Sequence, residues 1–214
     1  MKPPCQGNLT TGLGIELVPD QLTTYEVITE RNPIAAAIVG TQSKVDLVPA
    51  DIHLAKGEPE ILSKVGNFYL LRDALAEVKG NYRHVLIDCP PSLGLLTINA
   101  LTTADVVLIP VQCQFFALKG LAALLETIQS VKKRLNPDLK ILGVLPTMAE
   151  KNTVMTQDII AALKHDLEDV RIFNPIPKSV KFAESNVAGL PIHLYTQDPK
   201  LIEPYLEIVK LINN

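Results

Sequence analysis

Apolar residues along this 214-residue chain follow two rhythms. Short unbroken runs occur at 85–87 (VLI, closed by Asp88), 104–111 (ADVVLIPV), 140–146 (KILGVLP) and 170–173 (VRIF). Continuous runs of this length, rich in Val, Ile and Leu, predict strands buried on both faces of a parallel sheet. Between them the spacing turns helical. It predicts helices over 95–103, 117–135 (ended by Asn136-Pro137), 153–167 and 199–212, with Pro199 near the start of the last, and a turn or two over 180–185. The first third is weaker. Residues 1–20 are polar and turn-rich. Residues 24–37 read as a weak helix interrupted by Asn32-Pro33, and 44–49 (KVDLVP) as a short strand. Residues 54–79 carry helical spacing, broken at Pro59, with Phe68, Leu71, Leu75 and Val78 in one stripe. Strands alternating with long helices predict one α/β domain with a doubly wound, mostly parallel sheet. The strand ends at Asp88, Gln112 and Thr147 are expected along its carboxyl edge, where such folds place their ligands.

Composition narrows the function classes. With 47% hydrophobic and 20% charged residues the chain reads as an ordinary globular protein, and no apolar run reaches the length of a membrane span. The expected compartment is the cytoplasm, and the start MKPPCQGN is no signal peptide. A net charge of −3 argues against a strongly basic nucleic-acid protein while leaving room for a local patch. Aromatics at 5%, with no Trp, give no base-stacking platform. Cys5, Cys89 and Cys113 lack paired metal spacing, and His53, His84, His165 and His193 lack ligand spacing, so all seven are read as structural or surface groups.

The stretch HVLIDCPPSLG at 84–94 carries the chemistry. An apolar run that ends on Asp88 and turns at once through Cys-Pro-Pro delivers one carboxylate to the edge of a sheet. In phosphate-handling folds such an acid holds the water shell of Mg²⁺. Its usual companion is a loop GxxxxGK[ST], and these 214 residues contain none. Gly7 to Gly12 has the GxxxxG spacing, but Leu13 stands where the lysine belongs and no apolar strand precedes it. This start is read as a flexible surface segment.

Four segments, in order, resemble the partitioning ATPases of the ParA/Soj type, relatives of the MinD division-site ATPases. They are QGNLTTGLGI at 6–15, LIDCPPSLGLLTINAL at 86–101, ADVVLIPVQCQFFALKGLAALLETI at 104–128 and IPKSVKFAESNVAGLPIHLY at 176–195. The resemblance covers nearly the whole chain. It implies a P-loop NTPase-like fold that binds ATP and Mg²⁺, forms nucleotide-dependent dimers, holds DNA non-specifically at the nucleoid and answers to a ParB-like partner. By that resemblance Asp88 is the metal-shell acid, acting through water, and Pro90, Pro91 and Ser92 form the second switch. Thr147, Met148, Pro175 and Pro177 flank the adenine, residues 112–116 lie near the nucleotide and the dimer interface, and Lys178 and Lys181 stand where the family has DNA-contacting arginines.

The departures from the family pattern are as informative. Family members open with a strand, a KGGxGKT-like loop, a helix and a second strand ending in an acidic turn before PQG. Here nothing of that kind precedes Gln6, and the expected water-orienting acid falls on Pro4. The expectation is a single ParA-like domain over 1–214, truncated at its N-terminus and unable to hydrolyse ATP by itself. The alternative is a non-catalytic binding partner that pairs with a full-length relative.

Overall fold

The computed structural model describes residues 7–114, 117–150 and 153–213. Twelve α-helices and four strands are named among them. The front third is built from short helices: α1 (Asn8–Gly12), α2 (Thr24–Thr29) and α3 (Ile34–Ala37), then after a hairpin α4 (Ile52–Lys56), α5 (Glu58–Leu62) and α6 (Leu70–Leu75). Local chemistry explains where they start. Thr23 and Glu26 form a reciprocal capping box on α2, Pro33 is the N-cap of α3, and Asp51 caps α4. Pro59 opens α5 rather than breaking a longer helix, since a first-turn proline gives up only a donor without an intrahelical partner.

The hairpin pairs β1 (Val39–Gly40) with β2 (Asp46–Leu47) antiparallel. The strand expected over 44–49 is therefore two residues long and stands apart from the main sheet. The glycine-rich start also departs from expectation: it is not a loose surface segment. Thr10 is buried and exchanges hydrogen bonds of 3.0 Å with the Ala50 carbonyl and amide. Gly7 passes so close to the Ala50 carbonyl that a side chain there would collide with it.

The second half follows the sequence closely. α7 (Leu95–Thr103) leads into β3 (Val106–Gln112), then α8 (Ala117–Arg134), β4 (Lys140–Thr147) and α9 (Val154–Asp166). α10 (Val180–Val187), α11 (Ile192–Tyr195) and α12 (Pro199–Ile212) complete the chain. β3 and β4 pair in parallel, with one extra residue on β4 between the pairs Val107–Ile141 and Leu108–Gly143. The strand expected over 170–173 is present as a single bridge, Val144 to Ile172, extended by hydrogen bonds from Val144 N to Arg171 O (2.8 Å) and from Phe173 N to Val144 O (2.9 Å). Gly143 makes this approach possible: its φ is +156°, and a side chain there would strike Phe173 and the Arg171 carbonyl.

Helices cover both faces of the sheet. Ile109, Val111 and Val144 pack with Leu121, Ile128 and Leu163 of α8 and α9 in the largest core cluster. On the other face Leu145, Phe173 and Ile176 meet Ile208 of α12. This is a three-layer α/β/α arrangement. The run at 85–87 departs from expectation. Its backbone joins no strand and makes no hydrogen bond to another described segment. Two smaller clusters, one around Val27, Ile34 and Val78 and one around Ile28, Ile61 and Leu96, tie the front third together and join it to α7.

Candidate functional site

The carboxyl edge of the sheet gathers most of the expected residues. Gln112 pairs with Thr147 in register, and Cys113 N donates to the Thr147 carbonyl at 2.9 Å. Past the strand ends the ladder continues: Ile176 N donates to Pro146 O, Ala149 N to Ile176 O, and Lys178 N to Ala149 O. These bonds bring the loop after β4 against the loop that carries Pro175 and Pro177. Between that loop and the start of α12 lies a cleft of about 350 Å³, lined in part by Ala149, Glu150, Pro175, Pro177, Lys200 and Pro204. Rigid proline walls with a few polar groups suit a flat heterocycle. Met148 turns away, at φ +54° and 47% exposed, and neither it nor Thr147 lines the cleft. Of the four residues expected around the adenine, two therefore line this cleft.

Asp88 does not line this cleft. It follows the 85–87 run, which joins no strand among the described residues. Loss of water around it raises its carboxyl pKa above the ordinary value. Next to it the Cys89 thiol is pushed up to about 11, first by desolvation and then by the Asp88 charge.

Pro90, Pro91 and Ser92 are exposed. Their turn is anchored where Thr97 Oγ1 donates to the Ser92 carbonyl at 2.6 Å. Glu58 closes the N-terminus of α7 by accepting from Leu96 N at 3.2 Å, and its carboxylate lies where a side chain on Gly94 would be. Sequence spacing gave no hint of this cap, because 38 residues separate donor and acceptor. Asn99, on α7, was likewise missed. It is 1% exposed; its Nδ2 donates to Asn67 O (2.7 Å) and Leu95 O (3.0 Å), and its Oδ1 accepts from Leu71 N (3.3 Å). An asparagine among apolar residues in a helix was the available signal.

The two lysines already face oxygen partners. Lys178 Nζ donates to Glu150 Oε1 at 2.6 Å. Lys181 Nζ donates to Thr196 Oγ1 at 3.2 Å and lies 3.6 Å from Asp198 Oδ2. The residues expected at the dimer interface, 112–116, lie partly outside the described residues, as do Cys5 and the start of the 6–15 segment.

The described residues fit Mg²⁺–ATP only in part. They include no cluster of three or more His, Cys, Asp or Glu able to hold a metal ion. One carboxylate, Asp88, fits the water shell of Mg²⁺, and the Pro175–Pro177 cleft fits a base. The sequence has no glycine loop with a lysine to cradle the phosphates.

The fold is that of an α/β protein of the P-loop NTPase class. The AAA domain family matches residues 4–141. Over 206 residues the chain is 42% identical to the sporulation initiation inhibitor protein Soj of Bacillus subtilis, covering 96% of this chain and 81% of Soj. It is 38% identical to the chromosome partitioning protein ParA of Caulobacter vibrioides, covering 96% and 78%. McdA from Cyanothece superposes with a TM-score of 0.89 at 27% identity, over 98% of this chain and 84% of McdA. A Mycobacterium smegmatis cobyrinic acid a,c-diamide synthase, solved with ADP and magnesium, superposes at 0.76 with 37% identity, over 86% and 74%. The chain belongs to the ParA/Soj family of partitioning ATPases.

Proposed function

We propose that this chain serves ATP-linked partitioning of a DNA cargo by supplying the base side of the nucleotide site and the metal-shell acid. The observation that carries the reading is the proline-walled cleft at the carboxyl edge of the sheet, beside the loop that leads to Lys178 and Lys181. Pro175 and Pro177 hold the base, Thr147 and Met148 shape the backbone behind it, and Asp88 acts on Mg²⁺ through water. Pro90, Pro91 and Ser92 follow the state of that metal as a switch. Lys178 and Lys181 contact DNA phosphates without reading sequence. A nucleotide-dependent dimer doubles their charge, and a ParB-like protein is the natural partner at the nucleoid. Partitioning proteins among the relatives and nucleotide complexes among the structural neighbours support this reading.

Hydrolysis is a separate matter. Phosphate binding needs clustered backbone N–H groups and a lysine, and this sequence offers neither in the required pattern. The chain alone therefore does not turn over ATP. Phosphate release indistinguishable from buffer is the expected result; release above buffer that Asp88→Ala abolishes contradicts it. A second reading, a non-catalytic partner that docks on a longer family member, is favoured by the exposed apolar side chains of Val85 and Leu86.

A further inference from the structure

Asn174 stands at the wall of the proline-lined cleft and is held from behind. Its backbone lies between two bonds to β4: Phe173 N donates to Val144 O (2.9 Å) and Ile176 N to Pro146 O (2.9 Å). The residue lines the cleft together with Pro175 and Pro177. Its Nδ2 donates at 3.2 Å to Oε2 of Glu207 on α12, a residue that does not line the cleft. Glu207 is steadied in turn, with its Oε1 3.7 Å from Arg171 Nη1.

This contact decides which way the amide points. An ionised carboxylate only accepts, so the amide edge that meets Glu207 is the NH₂. Turning the amide over would set Oδ1 against a carboxylate oxygen, two acceptors face to face. The edge left over is Oδ1, which takes no hydrogen bond from any described residue. The cleft therefore has an acceptor of fixed orientation beside its proline walls.

We propose that Asn174 Oδ1, oriented by Glu207, makes the cleft select 6-amino purines over 6-oxo purines. The inference rests on the proposed reading of the cleft as a base site and names what that site discriminates. An exocyclic amine gives Oδ1 the donor it lacks. An oxo group in the same place meets it acceptor to acceptor, unless the amide turns over and gives up Glu207. Either course penalises the 6-oxo base, because a polar group is left without its partner. Asn174 is exposed, so the penalty is that of one solvent-accessible hydrogen bond, about fivefold to tenfold in affinity. Glu207 is a positioning residue: it acts on the base only through Asn174.

The test is calorimetric titration of the full chain with adenosine and with inosine, which differ at ring position 6 and in the N1 proton that accompanies the oxo form. Adenosine should bind about fivefold to tenfold tighter. Asn174→Leu keeps the side chain's size and removes both amide atoms. It should weaken adenosine, leave inosine nearly unchanged and bring the ratio to about twofold or less. Glu207→Ala keeps Asn174 and frees its amide to turn over. It should narrow the ratio by tightening inosine, which a merely structural role of Glu207 would not do. Equal affinities in the native chain, tighter inosine, or an adenosine preference that survives in either variant overturns the proposal. If adenosine binding is still weakened by Pro177→Asp, the base reading stands without it. Binding of neither nucleoside overturns both.

Discussion

Asp88 shows how much a single residue's surroundings decide. A carboxyl whose pKa is raised by folding opposes folding in its ionised form. That opposition is complete above the raised value and gone below the ordinary value of 3.8. Asp88→Asn should therefore melt above the native chain at pH 7, and the gap should close as the pH falls through the carboxylate range. Equal melting temperatures throughout contradict the assignment. Removing the Asp88 charge also removes one of the two causes that hold the Cys89 thiol up, so Cys89 should alkylate faster in Asp88→Asn than in the native chain near pH 8. Asn99 is a different case: a buried amide with three partners, of which Asn67 O and Leu71 N lose it on truncation. Asn99→Ala should destabilise by about 2 kcal/mol in denaturant unfolding, and a loss below about 0.5 kcal/mol would show that the network is dispensable. Asp88's place at the end of an apolar run is a local pattern and was legible in the sequence. Asn99 was not, since its partners lie up to 32 residues away.

Among the elements, the strands and helices from α7 onward were readable because each has its own period and its own punctuation. β3, β4, α8, α9 and α12 lie within a residue or two of their expected bounds. The front third was readable only as weak helix. Its helices run to six residues at most, too short for periodicity to speak, and their ends are set by Thr23, Pro33 and Asp51 rather than by an apolar stripe. Segment 85–87 failed for a different reason. A strand is a pairing, and composition does not reveal whether the pairing partner is present. Two contacts between elements give predictions. Glu58→Ala uncaps α7 and should lower stability by about 1 kcal/mol, read by denaturant midpoint; an unchanged midpoint means that water replaces the carboxylate. Between the β4 loop and the start of α10, Lys178 Nζ donates to Glu150, so in the proposed DNA contact Glu150 competes with phosphate for Lys178. Glu150→Gln should tighten DNA binding a few-fold at low salt, and both proteins should lose affinity as salt rises. Salt-independent binding would rule out a phosphate contact at these lysines.

At the scale of the whole molecule, the proposed function amounts to one half of a nucleotide site. Its carboxyl edge builds a walled cleft where Pro175 and Pro177 were expected to stand. Asp88, the proposed metal-shell acid, follows a run that joins no strand among the described residues, and the sequence has no glycine loop with a lysine. The fold class and the carboxyl-edge location were legible from strand–helix alternation alone. That 85–87 joins no strand among the described residues was not, because strand pairing is long-range. Such a half-site has a characteristic preference: it should value the base and be indifferent to the phosphates. The most direct measurement is a pair of calorimetric titrations of the chain, with adenosine and with Mg²⁺–ATP. Affinities within about threefold of each other, both weakened by Pro177→Asp, are the predicted result. Mg²⁺–ATP binding more than about tenfold tighter than adenosine, a gain of about 1.4 kcal/mol from the phosphates, would contradict it.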